Sequence, residues 1–126
     1  MRRLVVVLLA LLALMACAGA AARDGRGSPP PPFPKLAGTW SHAEINIRIK
    51  REYHTLVLDN GRIAQISPTQ LTLRERDGSL AVIPVNDETR VTVRGRPTFL
   101  GALQKKMQVQ TMRIDDGPAV RVRAGS

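Results

Sequence analysis

Alternation of apolar and polar residues with a period of two begins at Ala43, and short clusters of Asp, Asn, Gly and Pro interrupt it. Successive side chains of a β-strand point to opposite faces of a sheet, so this pattern is typical of half-buried strands joined by tight turns. Ile45, Ile47 and Ile49, for example, fall on one face of a single predicted strand. The sequence therefore predicts an all-β domain over residues 39–124, a small barrel of about five to seven antiparallel strands.

Residue type places several turns and irregularities in this domain. Asp77-Gly78 predicts a two-residue type I′ turn between the strands of a hairpin. Asp59-Asn60-Gly61 predicts a second turn, and the uneven spacing of Ile63 and Ile66 after it predicts a β-bulge. Pro84 cannot donate a ladder hydrogen bond, which places its strand at a sheet edge or at a bulge.

The alternation breaks between residues 98 and 105. Phe99, Leu100 and Leu103 stand at near-helical spacing after Thr98, a residue type that caps helices. We therefore expect one short helical turn here, closing one end of the barrel.

Residues 1–22 have the organisation of an export signal. Two arginines precede an uninterrupted apolar run over residues 4–15, and small residues follow it. Leu-Met-Ala-Cys at positions 14–17 resembles a bacterial lipobox, which would place a lipid on Cys17 and hold the protein at the membrane. The alternatives are cleavage near residue 20, which would release a free protein, and retention of the run as an anchor, for which it is short.

Residues 23–38 contain no apolar periodicity and include a run of prolines between Ser28 and Pro34. Such a run favours the extended polyproline II conformation. The segment is predicted as a disordered, proline-rich linker that separates the folded domain from the export signal or the lipid.

The chain carries a net charge of +9 and a single cysteine. One cysteine cannot form a disulfide within the chain, and it excludes Cys-x-x-Cys metal and redox motifs. The positive charge favours contact with anionic surfaces. Arg74, Arg76 and Arg94 are the predicted contact residues for an anionic envelope polymer, a lipid headgroup or a protein partner. Nucleic acid is not a predicted partner, because single-strand binders stack bases on aromatic side chains and these strands carry none.

No arrangement of residues predicts catalysis. His42 and His54 are the histidines of the chain, and neither lies in a nucleophile motif. The acidic residues fall mostly in predicted turns, where their side chains accept backbone hydrogen bonds. Met107 and Met112, candidate ligands for a soft metal, are five positions apart and so point to opposite faces of a strand. We therefore predict no catalytic residues, no metal site and no cofactor.

Four short motifs stand between residues 61 and 123: Gly-Arg-Ile at 61–63, Leu-Thr-Leu at 71–73, Thr-Arg-Val at 89–91 and Leu-x-x-Leu at 100–103. In these motifs the chain resembles the small exported bacterial OB-like barrel domains of unknown function. The resemblance implies an OB-like fold and a location in the cell envelope. It implies no active-site residues.

These observations lead to one functional hypothesis and one alternative. The hypothesis is an exported, lipid-anchored module of the cell envelope, located at the outer face of the membrane or in the periplasm. It would contact anionic components through the arginine face and have no enzymatic activity. The alternative is a freely secreted or periplasmic protein that binds a small ligand, or a metal such as Cu or Zn through His42 and His54.

Overall fold

The computed structural model describes residues 29–125, so the predicted export signal and Cys17 lie outside the described residues. The described part is all-β, as predicted, with one short 3-10 helix at Leu100–Ala102. Its strands are β1 (His42–Ile49), β2 (Glu52–Ile66), β3 (Gln70–Glu75), β4 (Leu80–Pro84), β5 (Arg90–Val93), β6 (Arg96–Thr98), β7 (Gln108–Ile114) and β8 (Ala119–Ala124). Within residues 29–125 no helix is long and apolar enough to cross a membrane.

Strand β2, 15 residues long, organises the sheet. β7 pairs with one edge of β2, while β1 and β3 pair end to end along the other edge. The strand order is β4-β3-β2-β7-β8-β5-β6, and β1 lies off this path. The predicted turn at Asp59-Asn60-Gly61 is wrong, because β2 runs straight through these residues and Asp59 pairs in register with His42 on β1 and Thr111 on β7.

Gly61 lies where β1 ends and β3 takes over as the neighbour of β2. A Cβ atom at this position would lie 2.6 Å from the backbone oxygen of Arg74 on β3. Glycine is needed here because two backbones come close together, not because the chain turns. Beyond it, the register of β2 against β3 shifts between Ile63 and Gln65, which confirms the predicted β-bulge.

The β3–β4 hairpin is confirmed, but its turn differs from the predicted one. Among residues 76–79 only Gly78 has a positive φ, of 88°, and its amide donates a hydrogen bond of 3.0 Å to the Glu75 carbonyl. This is a three-residue loop with glycine at the bulge position, in place of a type I′ turn. The Asp77 carboxylate stabilises the loop by accepting a hydrogen bond from the Ser79 amide at 2.9 Å. Pro84 ends β4 at the edge of the sheet, as predicted.

The second half of the chain contains one parallel strand pair. β5 runs parallel to β8, because β6, the 3-10 helix and β7 return the chain to the same end of the sheet. Only antiparallel strands were predicted. The 3-10 helix confirms the predicted helical turn. Thr98 does not cap it, since Thr98 ends β6 and the N-cap residue is Phe99, which makes no side-chain cap hydrogen bond.

The main core lies on one face of the sheet. Buried side chains from β2, β3, β4, β5, β7 and β8 form one cluster with Leu103 from the connection after the 3-10 helix. Because β4 and β5 stand near opposite ends of the strand order, the sheet must curve for their side chains to share a core. The order still ends at β4 and β6, so the sheet is open over the described residues, and the closed barrel of the prediction is not shown.

A second apolar cluster covers part of the opposite face. It centres on Leu56, Leu58 and Met112, and Phe33 and Leu36 pack against it from the segment before β1. The described part of the predicted linker, residues 29–38, therefore differs from a free spacer. We call residues 29–38 the strap, because they lie against the sheet. Phe33 and Leu36 cover the apolar side chains of β2 and β7 on this face, and this burial of apolar surface favours the contact.

Two arginines of β8 hold this strap. The guanidinium of Arg121 donates hydrogen bonds to the backbone carbonyls of Pro30 and Pro31, at 2.7 and 2.8 Å. The guanidinium of Arg123 lies 4.6 Å from the centroid of the Phe33 ring, within cation–π distance. The proline run thus contributes two backbone carbonyls that accept hydrogen bonds from the same guanidinium.

The close contact at Gly61 makes a prediction about stability. Gly61→Ala is expected to lower the free energy of unfolding by about 1–3 kcal/mol, because the methyl group must push β3 away from β2. Urea denaturation followed by circular dichroism measures the loss. Gly101→Ala is the matched control, since a Cβ atom there would meet only the exposed ring of Phe99. An equal loss in both variants would contradict this explanation.

Candidate anion-binding groove

An open groove of about 690 Å³ lies beside the strap, on the face of the sheet that carries the second cluster. Trp40, which lies between the strap and β1, lines the groove and also packs against the second cluster. The strap therefore covers the apolar half of this face and leaves the polar half open. The charged and amide side chains of the open half are Arg62, Arg74, Arg76, Arg123, Asn60, Gln108 and Gln110.

Two of the arginines lie directly opposite each other. Arg62 on β2 pairs in register with Arg74 on β3, so both side chains project from the same face. Like charges at such positions are destabilising unless something offsets them. Among the described residues, no carboxylate oxygen lies within 4.0 Å of a guanidinium nitrogen of Arg62, Arg74 or Arg76. The protein thus concentrates positive charge here without neutralising it.

Hydrogen bonds fix the floor between these arginines. The Gln108 side-chain amide donates to Asn60 Oδ1 at 2.7 Å, and Asn60 Nδ2 donates to the Trp40 carbonyl at 3.2 Å. The Arg123 guanidinium donates to the Gln110 side-chain oxygen. These bonds join β2 to β7 and to Trp40, and β8 to β7, so they orient the polar side chains of the groove.

Glu75 is the acidic residue among those that line the groove, and its carboxylate is directed elsewhere. It follows Arg74 in the same strand, so its side chain projects from the opposite face of the sheet. There it accepts a hydrogen bond from the Ser79 hydroxyl at 2.9 Å. Burial raises the pKa of the Glu75 carboxyl above its ordinary value, and the nearby Asp59 carboxylate adds to the increase. Its charge therefore does not face the arginines.

The structure brings together two of the three arginines predicted as contact residues. Arg74 and Arg76 line the groove, whereas Arg94 lies in the β5–β6 turn with a φ of 50°. The Arg94 side chain approaches Gly125, a residue at the rim of the groove, but does not line the groove itself. Arg62 was not predicted because it follows Gly61, where a turn was expected to separate it from β2.

The two histidines occupy separate positions. His42 Nδ1 lies 2.7 Å from Asp59 Oδ1, and this hydrogen bond raises the pKa of His42 although burial lowers it. His54 Nδ1 lies 2.7 Å from Asp115 Oδ2. In the register of β1 and β2, His54 is opposite Ile47, five residues along β1 from His42, which is roughly 17 Å. The two imidazoles therefore do not share a site.

Comparisons with family models, with characterised proteins and with solved structures find no match to this chain. The resemblance to OB-like exported domains stays a prediction. The functional assignment therefore depends on the geometry of the groove.

The contact of His54 with Asp115 predicts how stability changes with pH. Hydrogen bonds from His54 and from the Thr55 amide hold the pKa of Asp115 below its ordinary value of 3.8. The folded protein therefore takes up this proton at a lower pH than the unfolded chain does. The stabilisation is complete above the ordinary pKa and is lost as the pH falls through the lowered one.

Asp115→Asn should consequently lower the urea midpoint at pH 7, and the difference from the unchanged protein should shrink at about pH 2. Asp116→Asn removes the adjacent carboxylate, which makes no such hydrogen bond among the described residues, and should show no comparable dependence on pH. A difference for Asp115→Asn that is the same at both pH values would disprove the assignment.

Proposed function

We propose that this chain is an exported, lipid-anchored module of the cell envelope that binds anionic envelope components and has no enzymatic activity. The observation that carries the proposal is the groove, where Arg62, Arg74 and Arg76 converge without carboxylate partners among the described residues. An anionic ligand would offset the repulsion between Arg62 and Arg74. Without an anion, the placement of Arg62 opposite Arg74 lowers the stability of the fold.

The shape and lining of the groove favour a repeating or surface-bound anion over an enclosed small molecule. The groove is open, and its amides stand between arginines that reach it from β2, β3 and β8. Guanidinium groups bind phosphate and carboxylate oxygens through paired hydrogen bonds, which suits the headgroups and polymers of an envelope. Trp40 adds an aromatic surface along one side.

The strap limits how far the groove can lie from a membrane. In this proposal Cys17 carries the lipid, and the described contacts with the sheet begin at Pro30. The chain between them spans no more than roughly 47 Å even when fully extended. The groove would therefore remain close to headgroups and to polymers at the membrane surface.

The same proposal includes the architecture of the chain: the folded domain is an OB-like barrel, and an export signal over residues 1–22 precedes it. The main core, to which β4 and β5 both contribute, supports curvature of this kind. The apolar run at residues 4–15 behind two arginines supports export.

Arg74→Glu/Arg76→Glu is expected to weaken binding to mixed phosphatidylglycerol and phosphatidylcholine vesicles by about tenfold or more. A basic side chain near an anionic surface contributes about 1 kcal/mol, and charge reversal removes two such contributions and adds repulsion. Vesicle co-sedimentation measures the affinity, with the chain from residue 23 onward so that neither export signal nor lipid contributes. Binding of the unchanged protein should weaken as salt is added.

The matched control is Arg48→Glu/Arg51→Glu, which changes the net charge equally. Both residues are exposed near the β1–β2 turn and do not line the groove. Equal losses in the two double variants would show that net charge alone drives binding, which contradicts the proposal. A parallel titration with soluble polyphosphate distinguishes a polymer from a lipid headgroup as the anion.

A further inference from the structure

A cluster of polar side chains interrupts the main-core face of the sheet near the centre of β2. His42, Asp59 and Glu75 each offer a nitrogen or oxygen atom, and these atoms all lie within 4.8 Å of one another. β2 brings them together because His42 on β1 pairs with Asp59, and Glu75 on β3 pairs with Gly61 two residues further along. The end-to-end arrangement of β1 and β3 along one edge of β2 thus creates the cluster.

Asp59, at the centre of this cluster, has a carboxylate oxygen without a hydrogen-bond partner among the described residues. Its side chain is only 3% exposed. Oδ1 accepts from His42, whereas Oδ2 is buried without a hydrogen-bond partner among the described residues. A buried carboxylate oxygen without a partner carries a desolvation cost that native proteins rarely leave uncompensated.

Thr111 provides a second, independent sign of a missing partner. It lies directly opposite Asp59 on β7, so its side chain projects from the same face. Thr111 is fully buried, and its hydroxyl also has no hydrogen-bond partner among the described residues. Two buried oxygens at facing positions on neighbouring strands therefore lack a common partner.

Arg113 neutralises part of the charge without supplying that partner. Its Nη2 lies 3.9 Å from Asp59 Oδ2, beyond hydrogen-bond distance, and its buried Nε is also without a partner among the described residues. The guanidinium would weaken the binding of any cation nearby, but it makes no hydrogen bond to Oδ2.

We propose that His42, Asp59 and Glu75 form a binding site for a divalent metal ion of the Zn²⁺ type, with Asp59 Oδ2 as the central ligand. One imidazole and two carboxylates are a nitrogen and oxygen ligand set that Zn²⁺ accepts, and water completes the coordination. Bonds of about 2.0–2.2 Å require ligand atoms to lie roughly 3.3 Å apart. Because the three atoms lie within 4.8 Å of one another, the ligands must adjust slightly, and binding through His42 Nδ1 would replace its hydrogen bond to Asp59 Oδ1.

Other features of the site agree with this ligand class. The Ser79 hydroxyl lies 2.9 Å from Glu75 Oε2 and 2.6 Å from Asp77 Oδ1, so its one proton is shared between the two carboxylates. This contact helps to orient one proposed ligand, as outer hydrogen bonds do at metal sites. Among residues 29–125 the side chains brought together here are one imidazole and two carboxylates, and Met112 belongs to the second cluster on the opposite face. The site therefore differs from a Cu(I) carrier, and it does not include His54.

Isothermal titration of the chelator-treated full chain with ZnCl₂ tests the site, with Cys17→Ser in every sample to remove the single thiol. The expected result is one Zn²⁺ per chain, together with a higher unfolding temperature. Glu75→Gln and His42→Gln should each weaken binding about tenfold or more, the scale expected when one ligand is lost. Circular dichroism establishes that each variant is folded, and Glu75→Gln is a conservative change at a residue that is not fully buried.

The matched control is His54→Gln, since His54 also has an aspartate at 2.7 Å and a glutamate at 3.7 Å but lies outside the cluster. Its affinity for Zn²⁺ should equal that of the unchanged protein. Absence of Zn²⁺ binding, unchanged affinity in folded Glu75→Gln, or loss of binding in His54→Gln would each overturn the proposal.

Discussion

The rest of the structure depends on the pairing of β2 with other strands along both of its edges. β7 pairs with one edge from Leu56 to Arg62, while β1 and β3 share the other edge. Gly61 is the residue that allows the change from β1 to β3. A side chain at this position would separate β2 from β3 and with it the hairpin that supplies Arg74 and Glu75. The same close contact therefore positions residues on both faces of the sheet: Arg74 toward the groove and Glu75 toward Asp59.

The two faces of the sheet differ in what covers them. One face encloses the main core, and its polar interruption around Asp59 leaves buried oxygen atoms without partners among the described residues. The other face is half apolar and half basic. The strap buries the apolar half with Phe33 and Leu36, and Trp40 marks the boundary where the open, arginine-lined half begins. The proposed anion and metal sites thus lie on opposite faces and draw on neighbouring residues of the same strands.

Much of the strand pattern was predictable because alternation reports which face of a sheet each residue occupies. Pro84 and the bulge after Ile63 were also predictable, because each has a local cause: proline lacks an amide donor, and the spacing of Ile63 and Ile66 breaks the alternation. The continuation of β2 through Asp59-Asn60-Gly61 was not predictable, because these residue types usually form turns. Here Asp59 is a buried acid and Gly61 allows a close backbone contact. The strap and Arg62 were missed because their positions depend on contacts with distant strands, which local spacing does not encode.

The most direct test of the central claim is to map the anion on the protein by NMR. Titration of the ¹⁵N-labelled chain from residue 23 onward with soluble polyphosphate should shift the amides of Arg62, Arg74 and Arg76 and the indole NH of Trp40 most. Shifts of similar size at Arg48 and Arg51, which are exposed outside the groove, would show that the positive charge acts without a defined site and would contradict the account.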